Sequence, residues 1–216
     1  MIKVKAVIFD MDGLMIDTEP LGKMLVKKSH EKFGYDVTEE MFSHLIGSNE
    51  QSAKNYYESV FGKDYPYYDI KAYRDELRKE YFNSHKLEVK KGLYDFLAYL
   101  KDKGIKMAVA SSTRYERVVS NLKEVEVYDY FDVIIGGDQV ENGKPAPDIF
   151  LKAASMLGVS NDEAVVLEDS KNGILAASSG KIPVICIPDL IYHSEDIMAL
   201  TIGVYNSLDE LIGVIE

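Results

Sequence analysis

Cysteine is nearly absent from this chain. Cys186 is the single one in 216 residues and lies in the apolar run PVICIP, so a disulfide framework and a cysteine-based zinc site are both excluded. A reducing, cytoplasmic setting is the expectation. Basic charge is also in short supply: 36 acidic against 25 basic residues leave a formal net charge of −11. That balance argues against nucleic acid or an anionic membrane as a main partner. If the substrate is itself an anion, a local cation must overcome the global field. Long apolar runs are missing too. The stretch behind Lys3 and Lys5 is short and broken by aspartates, unlike a signal peptide or a membrane span, and reads as an unprocessed strand. No internal repeat or low-complexity linker is visible.

What is present is enough apolar residue, 46% of the chain, to bury a sizeable core in one medium domain or in one domain carrying a smaller insert. Short β-branched runs recur: KVKAVIF at 3–9, KMAVAS at 106–111, FDVIIGG at 131–137, EAVVLED at 163–169, IPVICIP at 182–188 and the weaker LTIGVYN at 200–206. Runs of this kind suit a sheet covered on both faces. Between them stand segments of helical period, GLYDFLAYLKDKG, RYERVVSNLKEV, PDIFLKAASMLG, SKNGILAASSG and SLDELIGVI, several with a closing glycine such as Gly104, Gly158 or Gly180. Strands alternating with helices predict a doubly wound, mainly parallel α/β sheet of Rossmann type.

From about residue 14 to about residue 90 no convincing strand appears, only four helical stretches. One crossover needs one helix, so four helices mark an insert with its own small bundle. The expected organisation is a core of 1–14 and 91–216 with an inserted helical domain at 15–90. The insert's aromatic residues Tyr56, Tyr57, Phe61, Tyr65, Tyr67 and Tyr68 read as packing. Connections near 13–19 and 84–92 would let the bundle close as a lid.

Ligands of open α/β sheets bind beyond the carboxyl ends of the strands. Here those ends carry Asp10 and Asp12, then Ser111, Ser112 and Thr113, then Glu168 and Asp169, with Lys144 on the loop GDQVENGKPAPD. Acidic oxygens at this density are what Mg²⁺ selects, beside water and a substrate phosphate. A carboxylate in line with phosphorus can act as nucleophile, which suits Asp10. Its neighbour Asp12 projects to the same side and suits general acid–base work, an effect worth about 100- to 10,000-fold. Lys144 and Ser111 would hold the transferring phosphoryl group. Read alone, each motif has a plainer meaning. The D-x-D-G stretch can be a strand-to-turn end, and Lys144 a surface lysine. Hydroxyl and acidic groups at strand ends can be helix caps. An EF-hand reading fails because Met15 and Leu21 stand where its glycine and glutamate belong. His30, His44, His85 and His193 show no metal-ligand spacing and read as structural.

Together, FDMDGLMIDTEP at 9–20, ASS at 110–112, GKPAPD at 143–148 and LEDSKNGILAA at 167–177 resemble the four motifs of the haloacid dehalogenase superfamily. They stand in the family's order, and the resemblance covers essentially the whole chain. The insert resembles the helical cap of the β-phosphoglucomutase-like phosphatases. The resemblance implies an Mg²⁺-dependent phosphoesterase, with Mn²⁺ or Co²⁺ as possible substitutes. Asp10 would be nucleophile, Asp12 acid and base, and Ser111, Ser112 and Lys144 the phosphate binders. Asp10, the Asp12 main-chain carbonyl and Asp169 would hold metal, with Glu168 alongside.

Two departures refine this expectation. The family's mutases carry a histidine a few residues beyond the place matching Asp17, whereas this chain reads DTEPLGK with Gly22 near that place. Their cap arginine, which grips a second phosphate, is missing from the matching loop LIGSNEQS. A phosphatase of small phosphorylated carbohydrates is therefore expected ahead of a β-phosphoglucomutase-type isomerase, with a non-catalytic metal or phosphate sensor as a third reading. A monomer is expected, with a small phosphate ester as its partner. Asn49, Glu50, Ser52 and Lys54 on the insert, and Arg114 and Tyr115 beyond Ser111, are candidates for choosing the substrate.

Overall fold

The apolar run Ala6–Phe9 forms the central strand β1, and its alternation splits the interior into two layers. A computed structural model describes residues 1–45, 48, 50–189 and 193–216. Val7 and Phe9 enter one apolar cluster and Ala6 and Ile8 the other, because successive strand side chains point to opposite faces. The strands β2 (Lys106–Ser111), β3 (Val133–Gly136), β4 (Ala164–Glu168), β5 (Val184–Cys186) and β6 (Gly203–Val204) complete a six-stranded sheet in the order β3-β2-β1-β4-β5-β6. Every pairing in it is parallel, as the sequence predicts.

The insert supplies α1 (Glu19–Lys32), α2 (Glu39–Leu45), α3 (Glu50–Phe61) and α4 (Tyr67–Phe82). Around the sheet stand α5 (Leu93–Asp102), α6 (Tyr115–Glu124), α7 (Asp148–Leu157), α8 (Lys171–Ser179) and α9 (Glu195–Met198). One sheet face is covered by Leu93, Phe96, Leu97 and Leu100 of α5 and by Val118 and Leu122 of α6. The other takes Ile149, Phe150, Ala153 and Leu157 of α7 and Ile174 and Ala177 of α8. Cys186 is fully buried in β5, where burial pushes its thiol up to about 12.

Register places the site. Phe9 pairs with Val109 on one side and Leu167 on the other, so Asp10, Ser111 and Glu168 emerge at one rim. Three expectations need correction. SLDELIGVI makes only a 3₁₀ turn, Leu208–Leu211, because Gly213 at φ +80° turns the chain back to pair Ile215 with Ile2. Tyr68 is 62% exposed and lies near the Lys54 ammonium instead of packing inside. The two connections to the insert are not loose loops: Asp17 N–H donates to Glu88 O and Lys90 N–H to Met15 O, both at 2.9 Å. Met15, Ile16 and Leu87 are anchored in the core cluster.

The helices of the insert hold their own cluster of Tyr57, Tyr65, Tyr67 and Ile70. His30 is buried against it, with Nδ1 2.7 Å from Val26 O and Nε2 2.5 Å from the Tyr65 hydroxyl. The first nitrogen donates to a carbonyl, so the second accepts from Tyr65 in the neutral ring. Burial, aided by nearby Arg74, holds the His30 pKa below its ordinary value, against the Val26 hydrogen bond. A native state that releases this proton earlier than the unfolded chain gains stability with rising pH. The contribution is complete above about pH 6.5 and declines as pH falls from there toward the lowered native value. Urea unfolding at about pH 7.5 and about pH 5.5 is expected to show a larger acid loss in the wild type than in His30→Gln; equal losses would contradict the assignment.

Candidate active site

Asp10 follows β1 directly, and its backbone N–H donates to Leu167 O at 3.0 Å. This bond fixes the carboxylate at the rim, where the residue is only 6% exposed. The Lys144 ammonium reaches it across the loop between β3 and α7, at 2.5 Å from Oδ1, and touches Glu168 Oε1 at 2.6 Å. Lys144 also lies 4.7 Å from the Phe150 ring centroid. Burial works against its charge, yet Asp10 and Glu168 together raise its pKa above the ordinary lysine value. Burial pushes the Asp10 carboxyl above its ordinary pKa against the pull of Lys144, and Glu168 and Asp12 add to the rise.

Glu168 is fully buried, and its second oxygen accepts from Asp169 N–H, Ser170 N–H and the Ser170 hydroxyl at 2.8–2.9 Å. A Cβ on Gly173 would overlap this carboxylate, so glycine in the first turn of α8 makes room for it. Glu168 thus points inward to Lys144 and the start of α8, away from the cleft.

Asp12 is the opposite case, open on the cleft and surrounded by hydroxyls. Thr18 donates to Oδ1 at 2.8 Å, and Thr113 and Ser111 donate to Oδ2 at 2.9 and 3.2 Å. Thr18 comes from the insert's first connection, a partner that sequence reading passed over. Asp169 lies against Gly13, whose φ of +88° and missing Cβ let the carboxylate approach the turn after Asp12. Its carbonyl is 2.6 Å from His193 Nε2; that histidine packs at the rim and belongs to no helix.

Between rim and insert lies a cleft of about 570 Å³. Asp10, Asp12, Ser111, Ser112, Arg114, Asp169 and Glu50 line it, so these expected residues are brought together. Asn49 lies outside the described residues. Ser52, Lys54 and Tyr115 do not line the cleft, and Lys54 is paired with Glu58 at 3.0 Å. Sequence reading passed over Arg74 and Arg78 on α4, Arg117 on α6 and Lys71, all of which do line it. A compositional signal was available: the chain has only four arginines, and every one faces this cleft.

The donor set suits a hard divalent cation. Among the described residues, no group of three or more acidic, histidine or cysteine side chains already stands at metal spacing. Mg²⁺ asks less, typically one or two carboxylates with water and substrate phosphate. Asp10 and Asp169 are buried carboxylates at one rim, and they supply the oxygen donors that such an ion takes.

Residues 7–187 match the haloacid dehalogenase-like hydrolases, and the chain belongs to that family. It is 36% identical over 179 residues to the phosphorylated carbohydrates phosphatase of Thermotoga maritima, covering 83% of this chain and 82% of that protein. It is also 32% identical to a β-phosphoglucomutase of Bacillus subtilis, over 82% of this chain and 80% of that one. The crystal structure of CbbY from Rhodobacter sphaeroides in complex with phosphate aligns at a TM-score of 0.82 with 27% identity, covering 96% of each chain.

Removing one partner of a buried ion pair typically costs about 3–5 kcal/mol. Lys144→Met would strand Asp10 and Glu168 together, so a loss of this order is expected in urea unfolding at neutral pH, partly recovered on acidification. A loss under about 1 kcal/mol would mean that the ammonium does not hold the rim together.

Proposed function

We propose that the chain is an Mg²⁺-dependent phosphatase of small phosphorylated carbohydrates, acting through an aspartyl-phosphate on Asp10. One observation carries the reading: Asp10, gripped by Lys144, shares its cleft with Asp12, which three hydroxyls orient two residues further on. The name of the Thermotoga maritima relative supports the substrate class, and the phosphate complex of CbbY supports the kind of ligand.

In the first step an Asp10 oxygen attacks phosphorus, the ester P–O bond breaks, and the Asp12 carboxyl gives its proton to the leaving sugar oxygen. In the second, water attacks the same phosphorus and the P–O bond to Asp10 breaks. Asp12 takes the water's proton, so the products are the free alcohol and phosphate. Asp10, Asp169 and the Asp12 main-chain carbonyl would hold Mg²⁺, which would supply charge neutralisation for the phosphoryl oxygens. Ser111, Ser112 and Lys144 hold phosphate oxygens in this scheme. Glu168, with both oxygens already engaged, acts as the group that positions Lys144 and Asp169.

Residues 15–90 form the cap, whose approach to the rim excludes bulk water. Gly22 supports hydrolysis over isomerisation: it lines the cleft, and a Cβ there would meet nothing within 4 Å, leaving room beside Asp12's partner Thr18.

The test is phosphate release from a panel of sugar phosphates with and without Mg²⁺. Release that needs the metal and disappears in Asp10→Asn is expected. Conversion of β-glucose 1-phosphate to glucose 6-phosphate without release would instead identify an isomerase. Silence on every ester would favour a sensor.

A further inference from the structure

We infer that Arg78, with Arg117 and Arg74 beside it, forms a second anion-binding subsite in the cleft, so that the preferred substrates are phosphate esters carrying a further phosphate or carboxylate. The inference rests on the phosphatase reading above and deepens it.

Composition singles out the place. The chain carries 21 lysines but four arginines, and among the described residues the cleft is lined by all four arginines and by one lysine, Lys71. Arginine differs from lysine in its planar fork of donors, which matches phosphate and carboxylate oxygens two at a time. In a chain of net charge −11, four forks on one cleft supply the local cation that an anionic substrate needs.

Arg74 and Arg78 stand four residues apart on α4 and so share a face; Arg117 comes from the first turn of α6. The acidic neighbours are largely taken. Asp75 receives Arg117 at 3.3 Å and Lys71 at 3.4 Å, and Glu50 faces Lys71 at 3.8 Å. Arg114 reaches Asp138 at 3.9 Å, while Arg74 lies beside the Tyr67 hydroxyl. Glu124 accepts from Leu87 N–H at 3.2 Å. Arg78 is different: among the described residues no carboxylate stands within ion-pair distance of it. Its guanidinium is half-buried, 5.1 Å from the Phe82 ring centroid, which holds the group in place without neutralising it. Burial lowers its pKa, Arg117 adds to that, and only the fields of Asp12, Asp75 and Glu124 oppose it. A partly desolvated cation without a counter-ion, facing a substrate cleft, is an anion site by its chemistry. The loop where the family's mutases keep their cap arginine has none here; the positive charge comes from α4 instead.

The test pairs substrates that differ by one anion: fructose 6-phosphate against fructose 1,6-bisphosphate, and glucose 6-phosphate against 6-phosphogluconate. The first pair probes a second phosphate and the second a carboxylate. In the wild type, KM is expected to be at least about tenfold lower for the doubly anionic member of one or both pairs, a ratio that corresponds to about 1.4 kcal/mol. Arg78→Gln should reduce that ratio to about twofold or less, and Arg78→Lys should restore part of it. Calorimetry on Asp10→Asn protein, with and without Arg78→Gln, reads binding of the same compounds independently of turnover. A ratio near one in the wild type overturns the subsite, and so does an equal rise in KM for both members of each pair in Arg78→Gln. If no ester releases phosphate, the phosphatase reading fails. Tighter binding of the doubly anionic compound that Arg78→Gln abolishes would still uphold the subsite, and its absence would overturn both.

Discussion

Everything at the rim depends on one ammonium group. Lys144 stands between Asp10 and Glu168 at 2.5 and 2.6 Å, almost wholly removed from water. Each carboxylate alone would be expensive to bury, and together they would repel. The lysine makes their proximity tolerable while leaving Asp10 with one oxygen unclaimed by it. Glu168 closes the arrangement from behind by accepting from the first turn of α8, so the strand end, the Lys144 loop and the helix start are tied to one charge. The rim remains rich in negative charge even so, which is why a divalent cation suits it.

The cleft solves a second electrostatic problem. A chain with an excess of eleven negative charges must nevertheless attract an anion. It does so by segregation: its arginines gather on the wall shared by α4 and α6 and at the turn entering α6, while most of its lysines are spent elsewhere. The insert therefore contributes charge as well as cover. The contact from Thr18 to Asp12 also links the insert's entry segment to a carboxylate of the rim, so the two parts of the molecule meet at the cleft.

Most of the architecture was legible along the chain because each core strand is a short apolar run bounded by polar turns. All six strand positions follow from those runs, the shortest, β6, from the weaker run at 200–206, and the four helices of the insert from their period. The C-terminal segment misled because helical periodicity says nothing about Gly213 or about the pairing of Ile215 with Ile2. Asp10, Asp12, Ser111, Lys144 and Asp169 were legible as well, since they sit at strand ends or in short motifs. Arg78 and Arg74 were not, because a charged residue on an amphipathic helix reads as solvated surface until the helix's neighbours are known.

By itself the sequence determined the alternation of strand and helix, the position of the insert and the acidic character of the rim, all of which are local properties of composition and period. Only the tertiary structure decided which carboxylate faces inward and which faces the cleft. Glu168 and Asp169 are adjacent in sequence, yet the former is enclosed by Lys144 and α8 while the latter lies against Gly13 beside the substrate space. The same is true of the arginines, whose convergence joins residues about forty positions apart. Such convergence depends on how α4 comes to share one cleft with α6 and the strand ends, and no local pattern encodes that placement.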